Sequence, residues 1–322
     1  MSRLTRFAAL AAVASVALTA CGDDNQDAGS SSTSVVASLS TVTGDSTAVA
    51  PGGSTAGTVG VDGGLEMRAK IISLSPSATE TLFAIGAGSL VIAVDDQSNY
   101  PAEATKLPHD LSGYQPNAEA IAALKPDVVI HDGTTELEAQ LDKVGIKSFI
   151  GAAPKSLSDV YAQIEQLGAL TGHVGDATEL VSKMTAEIDV AVKGAPQNPG
   201  LTYFHELDNT LYSVTSASFI GQMYALFGLK NIADDTAGGN DYPQLSAEKV
   251  ISADPDLIFL ADGMMGESPA TVSARPGWSA ITAVRDQTIF TLDADTASRW
   301  GPRLPELVKA IAEALTKVPS KV

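Results

Sequence analysis

Apolar residues in this chain gather in short unbroken runs rather than alternating with polar ones. Eight runs stand out, at 71–74, 91–94, 128–130, 148–150, 201–204, 211–214, 257–260 and 289–292, most of them rich in β-branched residues. Helix-length stretches separate many of them. Continuous apolar runs suit strands covered on both faces, so the pattern predicts parallel strands in an α/β fold. Several runs end in polar clusters: Ser75-Pro76-Ser77, Asp95-Asp96-Gln97, His131-Asp132-Gly133, His205-Glu206, Asp262-Gly263 and Asp293. Ligands of open α/β sheets sit beyond the carboxyl ends of the strands, which makes these clusters the first site candidates.

An internal repeat organises the pattern. Asn117-Ala118-Glu119 opens a stretch that reaches Pro126-Asp127 and the run at 128–130; Ser246-Ala247-Glu248 opens one that reaches Pro255-Asp256 and the run at 257–260. Each copy reads as an N-cap, a short helix, a Pro-Asp turn and a buried strand. Two similar lobes follow, at 67–153 and 199–322, with linking helices at 154–198. Within the link, Ala177, Leu180, Val181, Met184, Ile188 and Val192 fall at helical spacing. One uninterrupted helix there would be about 30 Å long and could brace both lobes.

The N-terminus has a different character. Arg3 and Arg6 precede a run of Ala, Val and Leu too short to span a bilayer, which reads as a signal peptide over residues 1–20. The segment 22–66 is rich in Gly, Ser and Thr and has no aromatic, Lys or Arg, so with Cys21 it reads as a flexible tether over 21–66. The whole chain carries 38 Asp plus Glu against 20 Lys plus Arg, a balance that disfavours nucleic acid as a partner. One cysteine rules out an internal disulfide framework.

Motifs for catalysis are sparse. Ser77-Ala78-Thr79-Glu80 fits a capping box, with Ser77 as N-cap and Glu80 reaching back to it, and a polar ligand group could meet the free N–H groups there. Glu119 and Glu248, two residues past their N-caps, are suited either to helix capping or to docking a partner with two basic pockets. Tyr114 and Tyr242 lie in loops just upstream of the repeated units, where they could line a cleft; Phe204 and Phe219 read as core. His205-Glu206 lacks the second histidine of a metalloprotease helix, although His131, His205 and Asp262 could serve a surface metal-dependent hydrolase.

The segments 70–80, 123–130 and 242–248 resemble the extracytoplasmic solute-binding proteins of ABC importers for cobalamin and ferric siderophores. The resemblance covers residues 69–318. It implies two Rossmann-like lobes with central parallel sheets, joined by one long α-helix, with the ligand cleft between them and no catalysis or cofactor of the protein's own. Leu18-Thr19-Ala20-Cys21 resembles a lipobox, which implies lipidation of Cys21 and anchoring at the outer face of the cell membrane. The family docks one glutamate per lobe into the permease dimer that works with its ATPase, and Glu119 and Glu248 fall at those positions. The protein is expected to be a monomer. Its cargo is expected to be a small metal chelate, a ferric siderophore or haem on the polar character of the cleft, with a corrinoid, as in a cobalamin-specific binding protein, the alternative. The ring expected to hold it comprises Pro76, Ser77, Gln97, Tyr114, Asp132, His205, Tyr242, Asp262 and Arg299, the last offered to an anionic group of the cargo.

Overall fold

Two four-stranded sheets of the same design account for the apolar runs. The computed structural model describes residues 69–133, 135–196, 200–236 and 238–319, all within the compact unit 60–322. The expected signal peptide, Cys21 and tether lie outside the described residues. The first sheet holds β1 (Ile71–Leu74), β2 (Val91–Val94), β3 (Val128–His131) and β4 (Lys147–Ile150) in the order β2-β1-β3-β4. The second holds β5 (Thr202–Glu206), β6 (Lys230–Asn231), β7 (Leu257–Leu260) and β8 (Ile289–Thr291) in the order β6-β5-β7-β8. Every ladder is parallel. In each lobe the strand order reverses between the first and third strands, at β1/β3 and β5/β7, and a switch point of this kind leaves a crevice at the strand ends.

Helices fill the intervals. In the first lobe they are α1 (Pro76–Ala84), α2 (Ala118–Ala123) and α3 (Thr135–Lys143); α4 (Leu157–Thr171) and α5 (Val174–Gly194) lead to the second. There α6 (Phe219–Ala225), α7 (Ala247–Ala253), α8 (Pro269–Ser273), α9 (Thr282–Arg285), α10 (Ala294–Ser298) and α11 (Leu304–Leu315) complete the fold. The helix expected from the spacing at 174–192 is α5, whose 21 residues give a rod of about 30 Å.

The repeat has a stereochemical basis. Asn117 caps α2 by accepting the N–H groups of Glu119 and Ala120, and Ser246 caps α7 by accepting that of Lys249. Both units end on a left-handed residue, Lys125 at φ 51° and Asp254 at φ 46°. Proline follows each, and it disfavours right-handed helical backbone in the residue before it. Asp127 then accepts the N–H of Lys70 at 2.8 Å, and Asp256 that of Thr202 at 2.9 Å. Each Pro-Asp turn thus ties the third strand of its sheet to the start of the first.

The lobes share a core. One cluster joins Ile71, Leu82 and Ile130 of the first lobe through Ile164, Met184 and Ile188 of α4 and α5 to Tyr203, Phe259 and Ile311 of the second. Each sheet keeps a private cluster on its other face: Ile72, Val129 and Leu141 in the first lobe, Phe204, Ile258 and Trp278 in the second. Close-packed apolar contact across the lobes resists hinge motion, because opening would expose it to water.

One expected strand is absent. Residues 211–214 make only an isolated antiparallel bridge, Tyr212 to Gln244. Leu211 sits at φ 68°, which interrupts an extended run, and the two-residue β6 takes the sheet edge beside β5 instead.

Candidate functional site

At the strand ends of the first lobe the helix start differs from the expected capping box. Ser75, not Ser77, caps α1, accepting the N–H of Ala78, and Pro76 occupies the first turn, where its missing N–H costs no helical bond. Ser77 and Glu80 are thereby released for other partners. Thr79 donates to Ser73 at 2.8 Å and meets Ser98 at 2.9 Å, a hydroxyl chain beneath the crevice. Asp95, 1% exposed at the end of β2, has one carboxylate oxygen without a partner, and burial raises its affinity for a proton. The loop above it has no room for a larger residue: a Cβ on Gly113 would stand 2.4 Å from the Asp95 carboxylate and 2.9 Å from the Leu74 carbonyl. Asp132 keeps access to solvent, yet the protein crowded around it pushes its carboxyl up to about 6, with the Ser75 hydroxyl working against the shift and Asp95 adding to it.

The two lobes are fastened by a polar latch. Glu80, on α1 and fully buried, accepts from Arg299 at 2.9 Å and from Arg303 at 2.6 and 3.0 Å. Arg299 also reaches Asp295, Asn99 and the Gln97 carbonyl. Ser77 receives the Trp300 N–H at 3.1 Å, and Asn99 donates to Asp295 at 2.9 Å. Arg303 stacks on the Tyr100 ring, 4.4 Å from its centroid. Beside this latch lies a concavity of about 820 Å³ walled by Phe83, Tyr100, Leu180, Met184, Pro305 and Lys309, on the helices rather than at the strand ends.

A second buried acid sits at the ends of β5 and β7. Glu206, with no exposure, takes two hydrogen bonds from Arg275, both 2.6 Å. Arg275 reaches on to Glu267 at 2.8 Å and lies 4.7 Å from the centre of the Trp278 ring. Asp262 is equally buried and touches Glu206.

These observations revise the expected ligand ring. Pro76 is half-buried and Gln97 and Asp132 are exposed just past strand ends, and Tyr114 and Tyr242 are 89% and 44% exposed in the loops before α2 and α7. His205 is a correction: its ring is fully buried and bonded to the Tyr224 hydroxyl at 2.7 Å, and burial lowers it to about 4. Asp262 is a second, enclosed within its lobe against Glu206. Arg299 is a third, since its guanidinium is spent on Glu80, Asp295, Asn99 and Gln97. Ser77 also faces the other lobe rather than an open cleft. The hydrolase arrangement fails on placement, because His131 ends a strand of the first sheet, and among the described residues no three His, Cys, Asp or Glu gather in a metal-binding geometry.

Sequence reasoning missed the partners of these buried acids. One signal was present: the four arginines among the described residues, 275, 285, 299 and 303, all fall in the last quarter of an acidic chain. It also missed Met264 and Met265, 83% and 73% exposed on the turn after β7.

The model of the periplasmic binding protein family matches residues 71–296. The chain belongs to that family. It is an extracytoplasmic, non-catalytic, solute-binding component of an ABC importer. It is 32% identical to the ABC transporter substrate-binding lipoprotein YvrC of Bacillus subtilis (strain 168), over 76% of this chain and 79% of that protein. It is 30% identical to a vitamin B12-binding protein of Vibrio vulnificus (strain CMCP6), over 78% of this chain and 92% of that one. Among solved structures, the periplasmic haem-binding protein RhuT from Roseiflexus sp. RS-1 superposes with a TM-score of 0.68 at 27% identity, covering 77% of this chain and 99% of that one.

Proposed function

We propose that this protein is anchored to the outer face of the cell membrane through lipidated Cys21 and carries a corrinoid to its permease. The observation that carries the cargo assignment is the saturation of the arginines. Arg275, Arg299 and Arg303, the arginines at the strand ends of the second lobe and at the lobe boundary, are each held by buried or half-buried carboxylates, so none of these three is left to neutralise the carboxylates of haem or an anionic ferric siderophore. A corrinoid presents amides and a broad apolar ring, which suits exposed Tyr114 and Tyr242 with Asp132 and Gln97 as polar contacts. The likeness to vitamin B12-binding proteins supports the same reading.

Titrating residues 67–322 with cyanocobalamin, cobinamide, haemin and several ferric siderophores, followed by intrinsic fluorescence, tests it. Saturable quenching by the corrinoids alone is expected. A response to haemin or a siderophore in their place would reassign the cargo.

Glu119 and Glu248 are both exposed in the first turns of equivalent helices, each two residues past its N-cap. They are proposed to meet basic sites on the two halves of the permease. Replacing both with Ala should abolish uptake in cells while leaving corrinoid affinity unchanged; a fall in affinity would show that they contact the cargo instead.

A further inference from the structure

Three carboxylates and one guanidinium converge at the strand ends of the second lobe. Glu206 binds Arg275 through both oxygens, and Arg275 extends to Glu267. Glu267 in turn accepts from Thr271 and from the Asn209 side chain. Asp262 closes the group from the end of β7, its carboxyl in contact with that of Glu206, yet neither of its oxygens takes a hydrogen bond from a donor of another residue. Fully ionised, the cluster would hold three negative charges against one positive, and Glu206 and Asp262 have no exposure to water. Two carboxylates offer only lone pairs to each other, so their contact is repulsive. A single proton turns it into an O–H···O bond, gives Asp262 its missing partner and removes one buried charge.

We propose that Glu206 and Asp262 form a proton-binding site, in which one shared proton ties the loop after β5 to the loop after β7 and whose deprotonation loosens both loops. The charged groups that face the pair are Arg275 and Glu267. His205, next to Glu206 on β5, points to the opposite face of the sheet and is bonded to Tyr224. Burial is the largest influence on the pair: it pushes Glu206 up to about 7 in spite of Arg275, and it raises Asp262 as well. The loop after β7 carries Met264 and Met265, and the loop after β5 carries Tyr212, bridged to Gln244 two residues from Tyr242. The site therefore sits at the base of the two loops that carry these exposed side chains. It stands independently of the cargo.

The site is tested by following the carboxyl carbons of Glu206 and Asp262 by NMR from pH 5 to pH 9. Both signals are expected to shift together in one step near neutrality, because a shared proton belongs to the pair rather than to either residue. Signals of two ionised carboxylates, flat across that range, would overturn the proposal. Thermal unfolding of the wild type and of Asp262→Asn supplies a second readout. The asparagine keeps the shape and gives Glu206 a permanent N–H donor, so the wild type should lose several degrees of melting temperature relative to the variant between pH 5 and pH 8. Because His205 and Asp132 titrate alike in both proteins, a difference that stays constant with pH would count against the site. Should the variant not fold, the NMR titration of the wild type decides alone.

Discussion

Glu80 and Glu206 are both fully buried glutamates held by arginine, and they have opposite charge surroundings. Glu80 faces two guanidiniums, Arg299 and Arg303, contributed from the far end of the chain across the lobe boundary. Glu206 shares one guanidinium with Glu267 and bears against a second buried acid, Asp262. The first arrangement, with two guanidiniums to one carboxylate, acts as a fastener between lobes. The second is short of positive charge and retains a proton near neutrality. A buried acid takes its role from the balance of charge around it, so the same residue type fastens two lobes in one place and holds a proton in another.

The largest effect that would break this contrast is expected from Glu80→Ala. It takes the shared carboxylate from two half-buried guanidiniums and cuts the latch, which should cost about 3 kcal/mol in urea unfolding. Glu206→Gln leaves Arg275 paired with Glu267 and relieves Asp262, so its cost should be smaller and should shrink as pH rises. Equal costs at all pH values would mean that the two sites are alike.

A pH profile of stability sharpens the same contrast. Glu206 has its folded affinity for protons raised from the ordinary 4.5 to about 7, so the folded state binds the extra proton. Its contribution is therefore full below pH 4.5 and is lost as pH rises from there through 7. His205 has the opposite sign: it is neutral in the fold and lowered from 6.5 to about 4, so its contribution is full above pH 6.5 and is lost on acidification through 4. Glu206→Gln should remove Glu206's share of the fall with rising pH, leaving the part due to Asp132, raised to about 6, and the His205 slope unchanged.

The smallest expected effects compare the lobes through their repeat. Asn117→Ala and Ser246→Ala each remove one helix cap and should each cost about 1 kcal/mol in thermal or urea unfolding. A clearly larger loss at one of them would show that the two copies have diverged in their structural duty.

Much of the frame was legible in the sequence because it rests on local rules. Continuous apolar runs marked seven of the eight strands, and the spacing at 174–192 marked α5. The exception at 211–214 arose from a backbone conformation, since Leu211 is as apolar as its neighbours but turns the chain at φ 68°. The start of α1 was misplaced by two residues because Ser75 and Ser77 are equally good caps, and Pro76 at the first helical position decided between them. Of the candidate site, Gln97 and Asp132 could be read from the polar clusters that end apolar runs, and Tyr114 and Tyr242 from the loops that precede the repeated units.

The partners of the buried charges could not be read in the same way. Glu80 and Arg299 are 219 residues apart, and Glu206 and Arg275 are 69 apart. No periodicity links such positions, and a glutamate shared by two arginines looks the same in sequence as one that shares a single arginine with another acid. The sequence by itself determined the two repeated lobes, their parallel strands and the bracing helix, because short-range propensity and hydrophobic patterning act through neighbours. Only the tertiary structure decided which acids meet which arginines, that His205 and Asp262 are enclosed, and that Arg299 locks the lobes together, because burial and charge pairing are properties of the assembled core.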